Sequence, residues 1–243
     1  MDYSFFADEC KRLFGLNGME IPSEEKTSTL YKLTNIMLDV NKQMNLTAIT
    51  DCSQIIAKHY VDSLSISKYI PQGARIIDVG CGAGFPSLPL AIFRGDLEIV
   101  ALDSTAKRIN YVRETANALS LDNLTAVAAR AEDYVKLDGN RESFDMAIAR
   151  AVADMPVLSE LCLPFVKVGG VFAAMKASKA DDEYQRALNA IKICGGSASQ
   201  IIPADLTFDG VEFEKRRLII VEKGEKTPKI YPRNFAQIMK KPL

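Results

Sequence analysis

The stretch Arg75-Ile76-Ile77-Asp78-Val79-Gly80-Cys81-Gly82-Ala83-Gly84-Phe85-Pro86 decides the fold. Its first five residues form a short apolar run of the kind found in a buried strand. Glycines then stand at alternate positions, where the backbone can turn sharply and come close to a ligand because no Cβ intervenes. The spacing is G-x-G-x-G, whereas the dinucleotide fingerprint is G-x-G-x-x-G. Taken alone it fits a ligand-binding turn or a plain tight one.

Outward from this point, apolar runs alternate with amphipathic ones. Arg75–Val79, Glu98–Leu102, Leu124–Ala128, Phe144–Ala149 and Val171–Met175 read as strands, with helices near Pro86–Phe93, Thr105–Leu119, Met155–Val166 and Asp181–Ile193. Ser199–Ile202 and Leu218–Val221 would complete a sheet of seven strands. Strand, helix, strand in this order implies an α/β fold with a mainly parallel sheet covered on both faces. Such a sheet binds its ligand beyond the carboxyl ends of its strands. Upstream, residues 1–70 read as a helical extension. Ser23 precedes Glu24 and Glu25 as an N-cap with acids in the first turn, and Leu30, Leu33, Met37, Val40 and Met44 repeat at steps of three and four. A further helix is expected from about Ser53 to Tyr69. The divisions expected are 1–70, 71–224 and a basic tail at 225–243.

Composition bounds the function classes. The 243 residues are 48% hydrophobic and 25% charged, ordinary for a globular chain. No apolar run reaches the ~18 residues of a membrane span, and the start carries no basic leader, so a cytoplasmic location is expected. The five cysteines are scattered and never form C-x-x-C, which argues against a disulfide framework or a metal cluster. Charge is unevenly spread: Lys215–Leu243 holds nine Lys or Arg against two Glu, while the remainder holds 21 against 29 acids. A basic terminal block suits phosphate or simply a solvated surface.

At the strand ends, Asp103 follows Gly80 by 23 residues. A carboxylate there can accept hydrogen bonds from both hydroxyls of an adenosine ribose. Glu132 or Asp133 could meet an adenine amine, or be acids at a helix N-terminus. Arg108, Arg130, Arg150 and Lys176 fall at or just beyond strand ends and could contact phosphate.

Several segments together resemble the RsmG (GidB) family of class I S-adenosylmethionine-dependent methyltransferases. They are Asn45-Leu46-Thr47-Ala48-Ile49, His59-Tyr60-Val61-Asp62-Ser63-Leu64, the glycine loop ending in Phe85-Pro86, Leu102-Asp103-Ser104, Ala131-Glu132, Ala149-Arg150-Ala151, and the ending from Thr227-Pro228-Lys229-Ile230-Tyr231-Pro232-Arg233 to Leu243. Ser87 stands where the family usually has glycine, and Lys176-Ala177 replaces Lys-Gly. The resemblance implies a Rossmann-like fold and methylation of guanine N7 in 16S ribosomal RNA, at guanine 527 of the 530 loop. It implies cofactor contacts at Gly80, Phe85, Ala131, Glu132 and Arg150; Gly82 and Asp103 are added from the strand-end argument. RNA contacts are expected at Arg108, Arg130, Lys176, Lys229 and Arg233. The partner is 16S rRNA, as naked RNA, the small subunit or its assembly intermediate, and the enzyme is expected to be a monomer.

Amine methyltransferases usually carry Asn or Asp with Pro-Pro after the fourth strand, whereas this chain reads Ala149-Arg150-Ala151-Val152. Guanine N7 loses no proton on methylation, so placement can replace a general base. Arg150 would then orient the RNA or the cofactor without covering N7. His59 and Asp62 could face the cofactor mouth, orient RNA, or bond to each other on a helix surface. Two other readings are a nicotinamide-dependent oxidoreductase, disfavoured by the glycine spacing, and an RNA-binding or ribosome-assembly protein without catalysis. The tail prolines Pro228, Pro232 and Pro242 suggest an extended surface segment that can be removed without touching cofactor binding.

Overall fold

The structure is a computed structural model that describes residues 2–208 and 211–243, with backbone alone for 211–214. In chain order the strands are β1 (Arg75–Val79), β2 (Glu98–Asp103), β3 (Leu124–Ala128), β4 (Phe144–Arg150), β5 (Val166–Lys176), β6 (Gly196–Pro203), β7 (Leu206–Phe208), β8 (Val211–Glu214) and β9 (Arg217–Lys223). Seven of them form one sheet in the order β3-β2-β1-β4-β5-β9-β6. β1 to β5 run parallel, while β9 enters antiparallel between β5 and β6. This is the Rossmann-like sheet expected from the strand pattern. β7 and β8 form a separate hairpin that the sequence reading did not anticipate.

Register brings the chemistry to one edge. Val79 pairs with Leu102, Asp103 with Ala128, and Arg150 with Met175, so the strand ends lie abreast and their following loops face one another. The central strands are buried on both faces. Ile76, Ile99 and Ile148 join one apolar layer, and Ile77, Leu102, Ala147 and Phe172 the other. Burying each such side chain contributes roughly 1.5–3 kcal/mol relative to leaving it exposed.

The first layer is completed by the N-terminal helices Tyr3–Leu16 and Glu24–Met44, through Phe6, Leu13, Leu30, Leu33 and Met37. Asp2 caps the first by accepting from Phe5 N at 2.9 Å, and Ser23 caps the second by accepting from Lys26 N at 3.3 Å. Asn45 ends the second in the left-handed region, at φ 49°.

Three local expectations are corrected. The helix expected from Ser53 to Tyr69 is broken into Cys52–Ile55, a π-helical turn over Ile56–Val61, Asp62–Leu64 and a 3₁₀ turn at Ser67–Tyr69. β5 begins five residues earlier than Val171, with a register shift against β4 before it, and at Gly170 a Cβ would lie 2.6 Å from Asp145 O. The tail is not simply extended. It ends in the helix Phe235–Lys240, whose Ile238 is buried in the second apolar layer. All five cysteines are buried free thiols, and among the described residues no helix is long and apolar enough to cross a membrane.

Candidate active site

A cleft of about 450 Å³ opens over the strand ends. It is lined by Gly80, Gly82, Phe85, Asp103, Ala131, Glu132 and Arg150, which brings together every residue assigned above to the cofactor. The turn that opens it is tied to the neighbouring strand, with Gly80 N and Cys81 N donating to Leu102 O at 2.7 and 3.0 Å. Gly80 has φ +77°, and a Cβ on it would lie 2.6 Å from Val152 Cγ2. A Cβ on Gly82, φ +57°, would meet no protein atom within 4 Å. The first glycine thus permits packing between two strand ends, and the second leaves room beside the cleft.

Asp103 is buried. Its Oδ2 accepts from Gly82 N at 3.0 Å and its Oδ1 from Thr105 N at 2.7 Å. Each oxygen keeps a second lone pair, the arrangement a vicinal diol requires. Glu132, 4% exposed, accepts from Phe235 N at 3.2 Å, and Arg130 lies over the Phe235 ring at 5.7 Å. Phe235 itself lines the cleft, so the tail helix forms one of its walls.

At the other end, Phe85 carries His59 in a stack with ring centroids 4.6 Å apart, while the Arg150 guanidinium lies 5.6 Å from the Phe85 centroid. His59 Nε2 is 3.0 Å from Thr47 Oγ1. Thr47 is fixed in turn by Asn41, whose amide donates to Thr47 O and accepts from Thr47 N, both at 2.9 Å. Burial first, then the charges of Arg150 and Lys58, pushes the His59 pKa down to about 3. The ring is therefore neutral under assay conditions.

Asp62 does not bond to His59. Its carboxylate receives Arg150 at 2.9 Å and Arg216 at 3.2 Å, and Arg150 also donates to Lys58 O at 3.1 Å. The π-helical turn sets His59 and Asp62 in these positions, a distortion that recurs at functional sites. Beneath the glycine turn, Asp78 accepts from Ser87 Oγ at 2.5 Å while its Oδ1 has no partner among the described residues. Burial raises its pKa to about 6, against the lowering effect of the Ser87 bond.

A second cleft of about 610 Å³ adjoins the first and shares His59, Arg150, Ala151 and Val152 with it. Ala151 holds φ +56°, a left-handed conformation that favours glycine, at the boundary between the two.

The cations expected to meet RNA divide into two groups. Arg108 and Arg130 are exposed at the rim of the first cleft, and Lys229 is exposed on the tail. Lys176 and Arg233 are each paired with a carboxylate inside the protein and do not stand at the exposed rim. Lys176, 8% exposed, donates to Ala153 O and lies 2.7 Å from Glu183 Oε2. Arg233 forks onto fully buried Glu160, with Nε to Oε1 at 2.9 Å and Nη2 to Oε2 at 2.6 Å. It anchors the tail instead of offering its charge to phosphate.

The strand order, the glycine turn and the acidic strand end define a class I S-adenosylmethionine-dependent methyltransferase. Two solved structures share this fold at low identity. One is a SAM-dependent methyltransferase from Aquifex aeolicus, with a TM-score of 0.52 and 18% identity over 70% of this chain and 93% of that one. The other is precorrin-6y C5,15-methyltransferase from Geobacter metallireducens, with a TM-score of 0.51 and 15% identity over 74% and 92%. The family model of GidB, rRNA small subunit methyltransferase G, matches residues 26–206. The chain is 42% identical to ribosomal RNA small subunit methyltransferase G of Clostridium beijerinckii, over 91% of its length and 92% of the relative's. To the enzyme of that name from Clostridium perfringens (strain SM101) it is 40% identical over 98% and 99%. This chain therefore belongs to the rRNA small subunit methyltransferase G family and is an rRNA methyltransferase.

Proposed function

We propose that this enzyme methylates N7 of a guanine in 16S ribosomal RNA, and that the first cleft holds S-adenosylmethionine. The observation that carries the cofactor assignment is Asp103. It is a buried carboxylate fixed by two backbone amides, with acceptor capacity left over, 21 residues from a glycine turn whose Cβ space is open. S-adenosylmethionine supplies a methyl group on a sulfonium centre. Asp103 would receive the ribose hydroxyls and Glu132 the adenine amine, with Phe235 as apolar cover. Phe85, braced by His59, would wall the methionine end.

Regiochemistry follows from what the side chains cannot do. His59, its pKa pushed down to about 3 by burial, is a weak base, and Asp62 is held by two guanidiniums. Guanine N7 has an in-plane lone pair and needs none, since the methyl group moves to nitrogen and the purine takes the positive charge. Placement equivalent to an effective molarity of ~10⁵ M supplies about 7 kcal/mol. Exposed Arg108, Arg130 and Lys229 supply phosphate contacts.

The test offers labelled S-adenosylmethionine with naked small-subunit RNA, an assembly intermediate and the whole subunit. Label in RNA from at least one of these supports the reading. Label in none of them contradicts it.

A further inference from the structure

Resting on that reading, we propose that the second cleft receives the acceptor guanine and that Glu183 and Lys176 read its Watson–Crick edge. At about 610 Å³ the cleft falls within the roughly 300–1,000 Å³ usual for small-ligand sites. It meets the cofactor cleft along Arg150, Ala151 and Val152, so a base inserted there presents one edge to the cofactor. If N7 faces the cofactor, the N1–H and N2–H₂ groups point the opposite way, with O6 between.

Lys176 and Glu183 line the same cleft, with Lys176 bonded to Ala153 O beside the shared edge, and they carry the matching pattern. Lys176 Nζ forms an ion pair with Glu183 Oε2 at 2.7 Å, and Oε2 is buried with no hydrogen-bond partner among the described residues. Two carboxylates line this cleft. Asp62 is taken by Arg150 and Arg216, and Asp154 outside the cleft is tied to Arg186 while also contacting Glu183, so of the two lining carboxylates Glu183 is the one not bound to a guanidinium. An ammonium beside a carboxylate offers a donor next to an acceptor pair. Guanine presents an acceptor at O6 next to donors at N1 and N2, and adenine presents the reverse order. The pair thus selects guanine for transfer to N7 while leaving N7 uncovered, whereas an Arg reading O6 and N7 would cover it.

The test uses the full-length protein and small-subunit RNA assembled with inosine at the guanine that the wild type methylates. Inosine keeps N7 and O6 but lacks the 2-amino group. Wild-type kcat/KM is expected to fall roughly five- to 150-fold on this change, the range for one good base contact. In Glu183→Ala, and in the similarly sized Glu183→Gln, the guanosine-to-inosine ratio should shrink to within about twofold, with S-adenosylmethionine affinity unchanged. A wild-type ratio near one overturns the assignment whether or not the variants fold. So does a large ratio that persists in a variant that still binds cofactor. Wild-type protein that binds cofactor yet methylates no guanine overturns the underlying function and this assignment with it.

Discussion

His59 and Phe85 lie stacked with their ring planes 16° from parallel, and this contact joins the Asn41–Thr47 loop to the glycine turn. Burial holds His59 neutral while its ring packs against the aromatic wall. His59→Ala should weaken cofactor binding about two- to tenfold, the worth of an aromatic pair of roughly 0.5–1.5 kcal/mol. The single-turnover rate should stay level from about pH 7 to 9 in both proteins. A unit slope in log rate belonging to the methyl-transfer step, lost in the variant, would restore His59 as a base.

Asp103→Ala removes the acceptor for Gly82 N and Thr105 N as well as for the ribose. A loss of about 1–3 kcal/mol in cofactor affinity is expected by calorimetry. Gly82→Val should also weaken binding, since φ +57° strains a branched residue and its side chain enters open space beside the cleft. Unchanged affinity in both variants would remove the cofactor from this cleft.

Truncation of the tail now has a different expected result from the one its prolines suggest. Phe235 lines the cofactor cleft and its amide is held by Glu132, so deleting 229–243 removes a wall. Cofactor affinity should fall, and Phe235→Ala alone should reproduce part of the loss. A truncated protein with wild-type affinity would show that the helix is only adjacent.

Arg233→Ala strands Glu160, a fully buried carboxylate, and should destabilise the fold by roughly 3–5 kcal/mol in denaturant unfolding. Lys229→Ala should leave stability unchanged and lower the salt dependence of RNA binding by up to about one unit. A reduced salt slope with intact stability for Arg233→Ala would reverse the two assignments.

Asp78 gives a stability signature of definite sign. Its folded pKa of about 6 lies above the ordinary 3.8, so its contribution is present at low pH and is lost as pH rises through 6. Asp78→Asn should therefore match the wild type near pH 4 and exceed it by up to about 3 kcal/mol near pH 7.5. Thermal unfolding at the two pH values reads the difference, and a gain confined to the acid side would contradict it.

The sequence showed the parallel core of the fold most clearly. β1 and β3 lie over the residues expected, each a five-residue segment rich in apolar side chains. The first half of β5, before Val171, holds Gly169-Gly170 and lacks a continuous apolar run, although a strand can use glycine where backbones approach closely. The π-helical turn at Ile56–Val61 leaves no trace in composition. Strand-end logic pointed to Asp103 and left Glu132 and Asp133 open, the family resemblance singled out Glu132 and Arg150, and all three line the first cleft. Strand-end logic could not find Phe235, 103 residues from the Glu132 that holds it, nor separate Arg233 from Lys229 as anchor and free cation. Those assignments depend on contacts between distant segments, and a six-residue helix is too short to announce itself by periodicity.

The most direct test of the central claim is to map the methylated atom. Small-subunit RNA incubated with the enzyme and labelled S-adenosylmethionine is reduced and treated with aniline, which cleaves the chain at 7-methylguanosine. Cleavage and label at the same guanine are expected. Label on an exocyclic amine or a ribose hydroxyl, with no cleavage, would contradict it.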